Sequence, residues 1–357
     1  LENAVKSVLV AVELPDYIPD IQETIRLCET YGSKIGEVFY QKRREPDPAY
    51  FIGRGKVEMV REFIKLNGIE LAIFDNTLTG SQLANLQDVL ECEVLDRVEL
   101  ICRIFEKHAT TLEGKLQTQY ALLKVQLAKL KGRGVELSRL GGGIGTRGPG
   151  ERQIERERRA IRKRLAALKK QLEEIEKNFE TQSRRRRQSL ATVALVGYTN
   201  AGKSTLFKRI TNVDVLATDK LFATLSNKGK VVWWKGKKFF LVDTIGFIKN
   251  LPHELIDAFK ATLKVVLEAR VALLVLDIRK EREVDIVNEV LDDIGFEGRR
   301  IVALNKVDLL GEEEAALKIG NMKSRFGQDV IAISALRGEG VRRLLDVVVE
   351  VLDEGGL

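Results

Sequence analysis

Apolar positions in the first hundred residues follow two alternating periods. Short runs rich in Val, Ile and aromatics at 8–12, 35–40, 71–74 and 94–96 predict buried strands. Between them, 20–31, 56–66, 81–90 and 97–107 repeat at helical spacing, as in Ile21, Ile25 and Cys28, or Val57, Val60 and Ile64. Ser81 is expected to cap its helix, and Asn67-Gly68 to close the one before it. Strands alternating with helices predict a small parallel α/β domain over 1–109.

From residue 110 the pattern becomes a seam. Leu116, Tyr120, Leu123, Leu127 and Leu130 are spaced four and three apart in alternation. A glycine-rich run at 132–150 interrupts it, and Ile154, Ile161, Leu165, Leu168, Leu172, Ile175 and Phe179 form a second seam. Two seams joined by a loop predict an antiparallel helical hairpin over 110–188, its last residues an exposed linker. Over 189–357 the alternation returns. Strands are expected at 191–196, 271–276, 301–304 and 330–333, a hairpin turns at Lys235-Gly236-Lys237, and helices fall at 205–210 and 341–352.

Charge separates these regions. Residues 111–188 hold 21 lysines and arginines against 9 aspartates and glutamates, a local +12 in a chain whose total is +7. Arg156, Arg158, Arg159, Arg162, Lys163 and Arg164 sit off the second seam, and Arg147 lies in the loop. These charges suit a solvated coiled-coil face or contact with a phosphate backbone; their concentration favours the second. Neither an apolar run of ~18–20 residues nor a signal peptide is present, since the early run 8–12 ends at Glu13. Three cysteines without a C-x-x-C pair suit a reducing, cytoplasmic setting, and only two histidines argue against a histidine metal site.

The chemistry centres on Gly197-Tyr198-Thr199-Asn200-Ala201-Gly202-Lys203-Ser204-Thr205, a G-x-x-x-x-G-K-S phosphate loop between a strand and a helix. Its backbone N–H groups would face an anion, Lys203 would reach the β- and γ-phosphates, and Ser204 would ligate Mg²⁺. Asp243-Thr244-Ile245-Gly246 ends a later strand, placing Asp243 to hold Mg²⁺ through water and Gly246 to offer its N–H to the γ-phosphate. Asn305-Lys306-Val307-Asp308 reads the base: the Asp308 carboxylate accepts from both the N1–H and the amine of guanine, a donor pair adenine lacks. Ser334-Ala335-Leu336 would bring a backbone N–H to the guanine O6. Four such elements in order predict a P-loop domain that binds GTP and hydrolyses it.

Phe247 stands where a glutamine would orient the attacking water, so a slow, partner-stimulated rate is expected. Asn200 could coordinate a monovalent cation beside the phosphates or bond its own backbone. Phe51-Ile52-Gly53-Arg54-Gly55-Lys56 shares glycines and a lysine with a phosphate loop but not its spacing; a glycine turn before a helix explains it as well.

These residues resemble the HflX GTPases of the translation-factor-related class. The likeness rests on Ser138-Arg139-Leu140-Gly141-Gly142-Gly143-Ile144-Gly145-Thr146-Arg147-Gly148-Pro149-Gly150-Glu151, on Phe222-Ala223-Thr224-Leu225 and on Asp243-Thr244-Ile245-Gly246-Phe247-Ile248. The resemblance implies that Phe222, Ala223 and Thr224 close over the γ-phosphate, with Thr224 joining Ser204 on Mg²⁺. It also implies binding to the large ribosomal subunit through rRNA, splitting stalled ribosomes or serving subunit homeostasis; a monomer is expected. Potassium stimulation is common in relatives with a loop asparagine, which points to Asn200. Arg152 and Ser226 depart from the family pattern. The alternative is a GTP-controlled switch that docks proteins through its coiled coil without RNA.

Overall fold

The computed structural model describes residues 5–109, 111–140, 149–187, 190–212, 228–244, 246–247 and 260–354. The chain divides into two compact units, residues 1–107 with 115–172, and residues 108–114 with 173–357.

In the first unit, β1 (Val5–Glu13), β2 (Ser33–Lys42), β3 (Leu71–Phe74) and β4 (Glu93–Asp96) form one sheet in the order β2-β1-β3-β4. Every pair is parallel, because each strand is followed by a helix that carries the chain back across the sheet. These helices are α1 (Ile21–Tyr31), α2 (Arg54–Asn67), α3 (Gly80–Leu90) and α4 (Arg97–His108). Val8 to Val12 and Leu71 to Phe74 are all buried, as continuous apolar runs in a parallel sheet require. The cap of α3 is Thr79 rather than Ser81. Thr79 accepts from the Gln82 N–H while Gln82 bonds back, a reciprocal capping box that leaves Ser81 inside the first turn.

The long helices α5 (Leu112–Leu140) and α6 (Pro149–Arg187) follow. Seam positions Tyr120, Leu123, Leu127 and Leu130 of α5 are only half-buried. Its buried side chains include Gln117, Thr118, Ala121 and Val125, a stripe the seam reading did not contain. That stripe exists because α5 also packs on the first sheet's helices. The Lys129 ammonium reaches Asp96 at 3.0 Å and Glu99 at 3.1 Å, and a Cβ on Gly80 would come within 2.1 Å of the Lys129 carbonyl oxygen. Only a glycine lets the two backbones approach so closely. In α6 the seam residue Leu168 is buried and Arg156, Arg159 and Arg162 are exposed.

In the second unit the sheet order is β10-β9-β8-β5-β7-β6. Its strands are β5 (Ala191–Val196), β6 (Lys228–Trp234), β7 (Lys237–Asp243), β8 (Val271–Asp277), β9 (Arg299–Asn305) and β10 (Val330–Ala332). β6 alone runs antiparallel, joined to β7 by the tight turn at Lys235 and Gly236. Among the described residues, helices α7 (Lys203–Thr211), α8 (Lys260–Leu267), α9 (Glu283–Asp293), α10 (Glu312–Phe326) and α11 (Val341–Glu354) accompany it. One core joins Leu206 and Phe207 of α7 to Val232, Phe239 and Leu241 of the hairpin and to Leu344 and Val348 of α11.

Candidate functional site

The loop from Gly197 to Gly202 leaves the carboxyl end of β5, where an open α/β sheet presents its crevice. Two left-handed residues shape its end, Asn200 at φ +62° and Gly202 at φ +98°. Gly202 caps α7, and a Cβ there would meet the Asn305 amide at 2.2 Å, so both conformation and crowding require glycine. Lys203, the first residue of α7, is buried, and its ammonium donates to the carbonyls of Gly197 at 3.0 Å and Tyr198 at 2.9 Å. Burial pulls its pKa down to about 8, against the opposing pull of Asp243 and Glu283. Thr205 follows in the first helical turn, half-buried.

Beside the loop, β7 delivers Asp243, fully buried, and the Ser204 hydroxyl donates to its carboxylate at 2.8 Å. Thr244 is also buried and donates to the Leu195 carbonyl at 2.6 Å. Phe247 is stitched to the loop by backbone: its N–H donates to the Gly197 carbonyl at 3.0 Å, and its carbonyl accepts from Thr199 at 2.8 Å. Its ring is buried, so the position after Gly246 supplies packing and no polar group. Among the described residues, the buried Thr199 hydroxyl makes no hydrogen bond.

The third cluster sits at the ends of β9 and β10. Asn305 is a two-ended brace: its amide donates to the Ala201 carbonyl at 2.8 Å, and its side-chain oxygen accepts from the Ala335 N–H at 2.9 Å. Lys306 adopts φ +67° and donates to the Asn200 carbonyl at 2.7 Å, while pairing with Asp277 at 3.0 Å. Burial alone would raise the Asp277 carboxyl, but hydrogen bonds from Arg279 and Lys306 outweigh it and hold the group well below the usual carboxylate range. The Asp308 side chain is 6% exposed, with Arg337 at 4.0 Å. Ser334 and Ala335 are buried and Leu336 is exposed; Arg209 of α7 donates to the carbonyls of both Ala335 and Leu336.

The structure thus gathers Gly197 to Thr205, Asp243, Thr244, Gly246, Asn305, Lys306, Asp308 and Ser334 to Leu336 at one edge of one sheet. Phe222, Ala223, Thr224, Ile245 and Arg147 lie outside the described residues. Sequence reasoning missed Asp277, Arg279 and Arg209: Asp277 is bonded by its near neighbour Arg279 and, across the sheet, by Lys306, while Arg209 reaches the loop after β10 from α7. It also treated Arg158 as a free cation, whereas that guanidinium donates to the Leu130 carbonyl at 2.7 Å and ties the two hairpin helices. The glycine run at 51–56 is a packed turn: Phe51 and Ile52 are buried, and the Gly53 N–H donates to Gln41 at 3.0 Å.

The chain is similar to known proteins over most of its length. Three family profiles match the chain in succession: GTP-binding GTPase N-terminal at 19–106, GTP-binding GTPase Middle Region at 108–186, and 50S ribosome-binding GTPase at 192–306. The GTPase HflX of Caldanaerobacter subterraneus subsp. tengcongensis is 41% identical over 96% of this chain and 79% of its own. The GTPase HflX of Escherichia coli is 38% identical over 93% and 79%. The chain belongs to the HflX family of GTPases. It is a GTP-binding enzyme that hydrolyses GTP to GDP and phosphate. A solved structure of SsGBP with GDP covers 99% of this HflX-family chain and 100% of its own, at 25% identity and TM-score 0.55. A GTP-binding protein of Sulfolobus solfataricus in complex with GDP shares the fold, at 24% identity, TM-score 0.50 and coverage of 98% and 99%. Among the described residues no helix is long and apolar enough to cross a membrane.

Proposed function

We propose that this GTPase acts on the large ribosomal subunit in the cytoplasm, meeting rRNA with its basic hairpin while the second unit holds nucleotide. The observation that carries the reading is the row of exposed Arg156, Arg159 and Arg162 on α6, in a segment of net +12. Such a row suits contact with a phosphate backbone, whose counterions it would release. Arg158 is left out of that surface because it serves the hairpin itself. Splitting of stalled ribosomes or subunit homeostasis would follow from where the subunit is gripped. Co-sedimentation with large subunits, with a GTP analogue and with GDP, tests the reading; no binding in either state at low salt overturns it. Charge reversal at Arg156, Arg159 and Arg162 should weaken binding and flatten its salt dependence.

Within the site, the loop N–H groups and Lys203 would cradle the phosphates, Gly246 and Thr224 would meet the γ-phosphate, and Asp308 with Ser334 to Leu336 would read guanine. Asn305 would act on the base indirectly, by fixing the Ala335 loop. The neighbouring Ser204 hydroxyl and buried Asp243 carboxylate are hard oxygen donors that suit Mg²⁺. Ser204, with Thr224 and with Asp243 through water, would hold the ion, which neutralises charge building on the transferred phosphoryl group. Lys203 adds its own charge there. The buried Phe247 ring cannot orient water, so hydrolysis is slow until a partner or a K⁺ ion near the exposed Asn200 contributes. Rates in potassium and sodium should differ, and Asn200→Ala should remove the difference; equal rates would exclude the cation.

A further inference from the structure

The hairpin of β6 and β7 carries a surface that the nucleotide site does not use. Residues 228–240 contain five lysines and no acidic residue. Three of these lysines are occupied: Lys235 and Lys237 pair with Asp346 and Asp353 of α11, and Lys230 donates to the Thr211 carbonyl. Lys238 instead lies over the Trp233 ring, 5.2 Å from its centroid.

The two adjacent tryptophans differ sharply. Trp234 is half-buried against the core, and its indole N–H donates to Asp346 at 2.8 Å. Trp233 points to the opposite face and is 70% exposed. Strand register sets Trp233 opposite Lys238 and Val231 opposite Phe240, so these four share that face. Val231 is 48% exposed. The result is a flat aromatic surface flanked by cationic charge, with two strongly exposed apolar side chains. That is small for a protein hot spot, which wants a desolvated cluster, and well suited to one nucleobase.

We propose that this face stacks an unpaired RNA base on Trp233, with the Lys238 ammonium taking up the flanking phosphate. The choice of RNA as polymer rests on the ribosomal reading above. The site is built from β6 and β7 alone and would add a single-strand contact to the GTPase domain. Stacking on indole tolerates any base, so the contact would select unpaired RNA over duplex rather than a sequence.

Binding of a fluorescein-labelled uridine dodecamer to the full chain, followed by anisotropy, tests the proposal. Trp233→Ala should weaken binding about tenfold and Trp233→Phe about twofold to threefold. Lys238→Ala should lower the salt slope by about one unit. In a Trp234→Phe background, the oligomer should quench the remaining Trp233 emission, and a duplex of equal length should not. Unchanged basal GTP hydrolysis confirms folding of each variant. Equal affinity of Trp233→Ala and the parent chain would overturn the proposal, as would equal preference for duplex. Large-subunit co-sedimentation separates the two readings: if it persists while Trp233→Ala has no effect on the oligomer, only the stacking site falls.

Discussion

The two parallel sheets of this chain treat the same architectural opportunity in opposite ways. In each, strand order reverses beside the first strand, β1 in one and β5 in the other, and such a switch point opens a crevice at the carboxyl ends. In the second sheet that crevice receives the phosphate loop. In the first it is bolted shut. Asn76 exchanges two hydrogen bonds with the backbone of Val12, tying β1 to the segment after β3. Behind it Arg97 pairs with Glu23 and, at 2.9 Å, with Asp75, while Tyr17 donates to Asp75 at 2.8 Å. Burial alone would lower the Arg97 guanidinium, but the two carboxylates hold it above its ordinary range. The first crevice is filled with paired, buried charge; the second keeps a buried lysine whose ammonium is held, among the described residues, only by carbonyls of its own loop. Topology offers a site, and side chains decide whether it is used.

The sharpest test of the open crevice is Asp308→Asn. If this carboxylate reads guanine as proposed, removing it should cost about 10⁴-fold in GTP affinity, measured by calorimetry, with little change in melting temperature. The closed crevice should respond in the reverse sense. Arg97→Met strands Glu23 and Asp75 as buried charges and should cost about 3–5 kcal/mol in urea unfolding of the first unit. GTP affinity should stay within about twofold, since the partners Glu23, Thr24 and Asp75 of Arg97 belong to the first unit and sites without shared partners behave additively; a larger fall would break the contrast drawn between the sheets.

A smaller effect follows from Lys203. A phosphate bound beside it, as proposed, would raise its pKa above the value of about 8 that burial imposes. Binding therefore takes up a proton once the free lysine titrates: affinity is complete below that pH and declines above it. The fall from pH 7 to pH 9 should be about tenfold, and Lys203→Arg should flatten the slope. Smallest is Thr79→Ala, which removes the α3 cap and should destabilise the first unit by about 1 kcal/mol with GTP binding unchanged.

Much of this contrast could be read before any coordinates. Continuous apolar runs such as 71–74 announce buried parallel strands, and the phosphate loop and Asn305 to Asp308 carry their chemistry in local spacing. What escaped reading is mostly non-local. The seam of α5 was legible, but its second buried stripe depends on Gly80 lying against Lys129, a pairing across 49 positions that no periodicity encodes. Arg158 has the same spacing as its exposed neighbours and differs only because Leu130 offers it a carbonyl. The Thr79 cap was displaced by two residues because Ser81 is also an acceptable cap by type, and only the Gln82 bond distinguishes them.

The Asn305 brace has a consequence for timing. One short side chain links the loop that would hold phosphate to the loop that would hold the base, through a single amide at 2.8 and 2.9 Å. Slack at either end is passed to the other, so a nucleotide that lets go of its base loosens its own phosphates. Exchange of GDP for GTP should then proceed as a single event with one rate constant, and a partner need only pry at one loop to empty both.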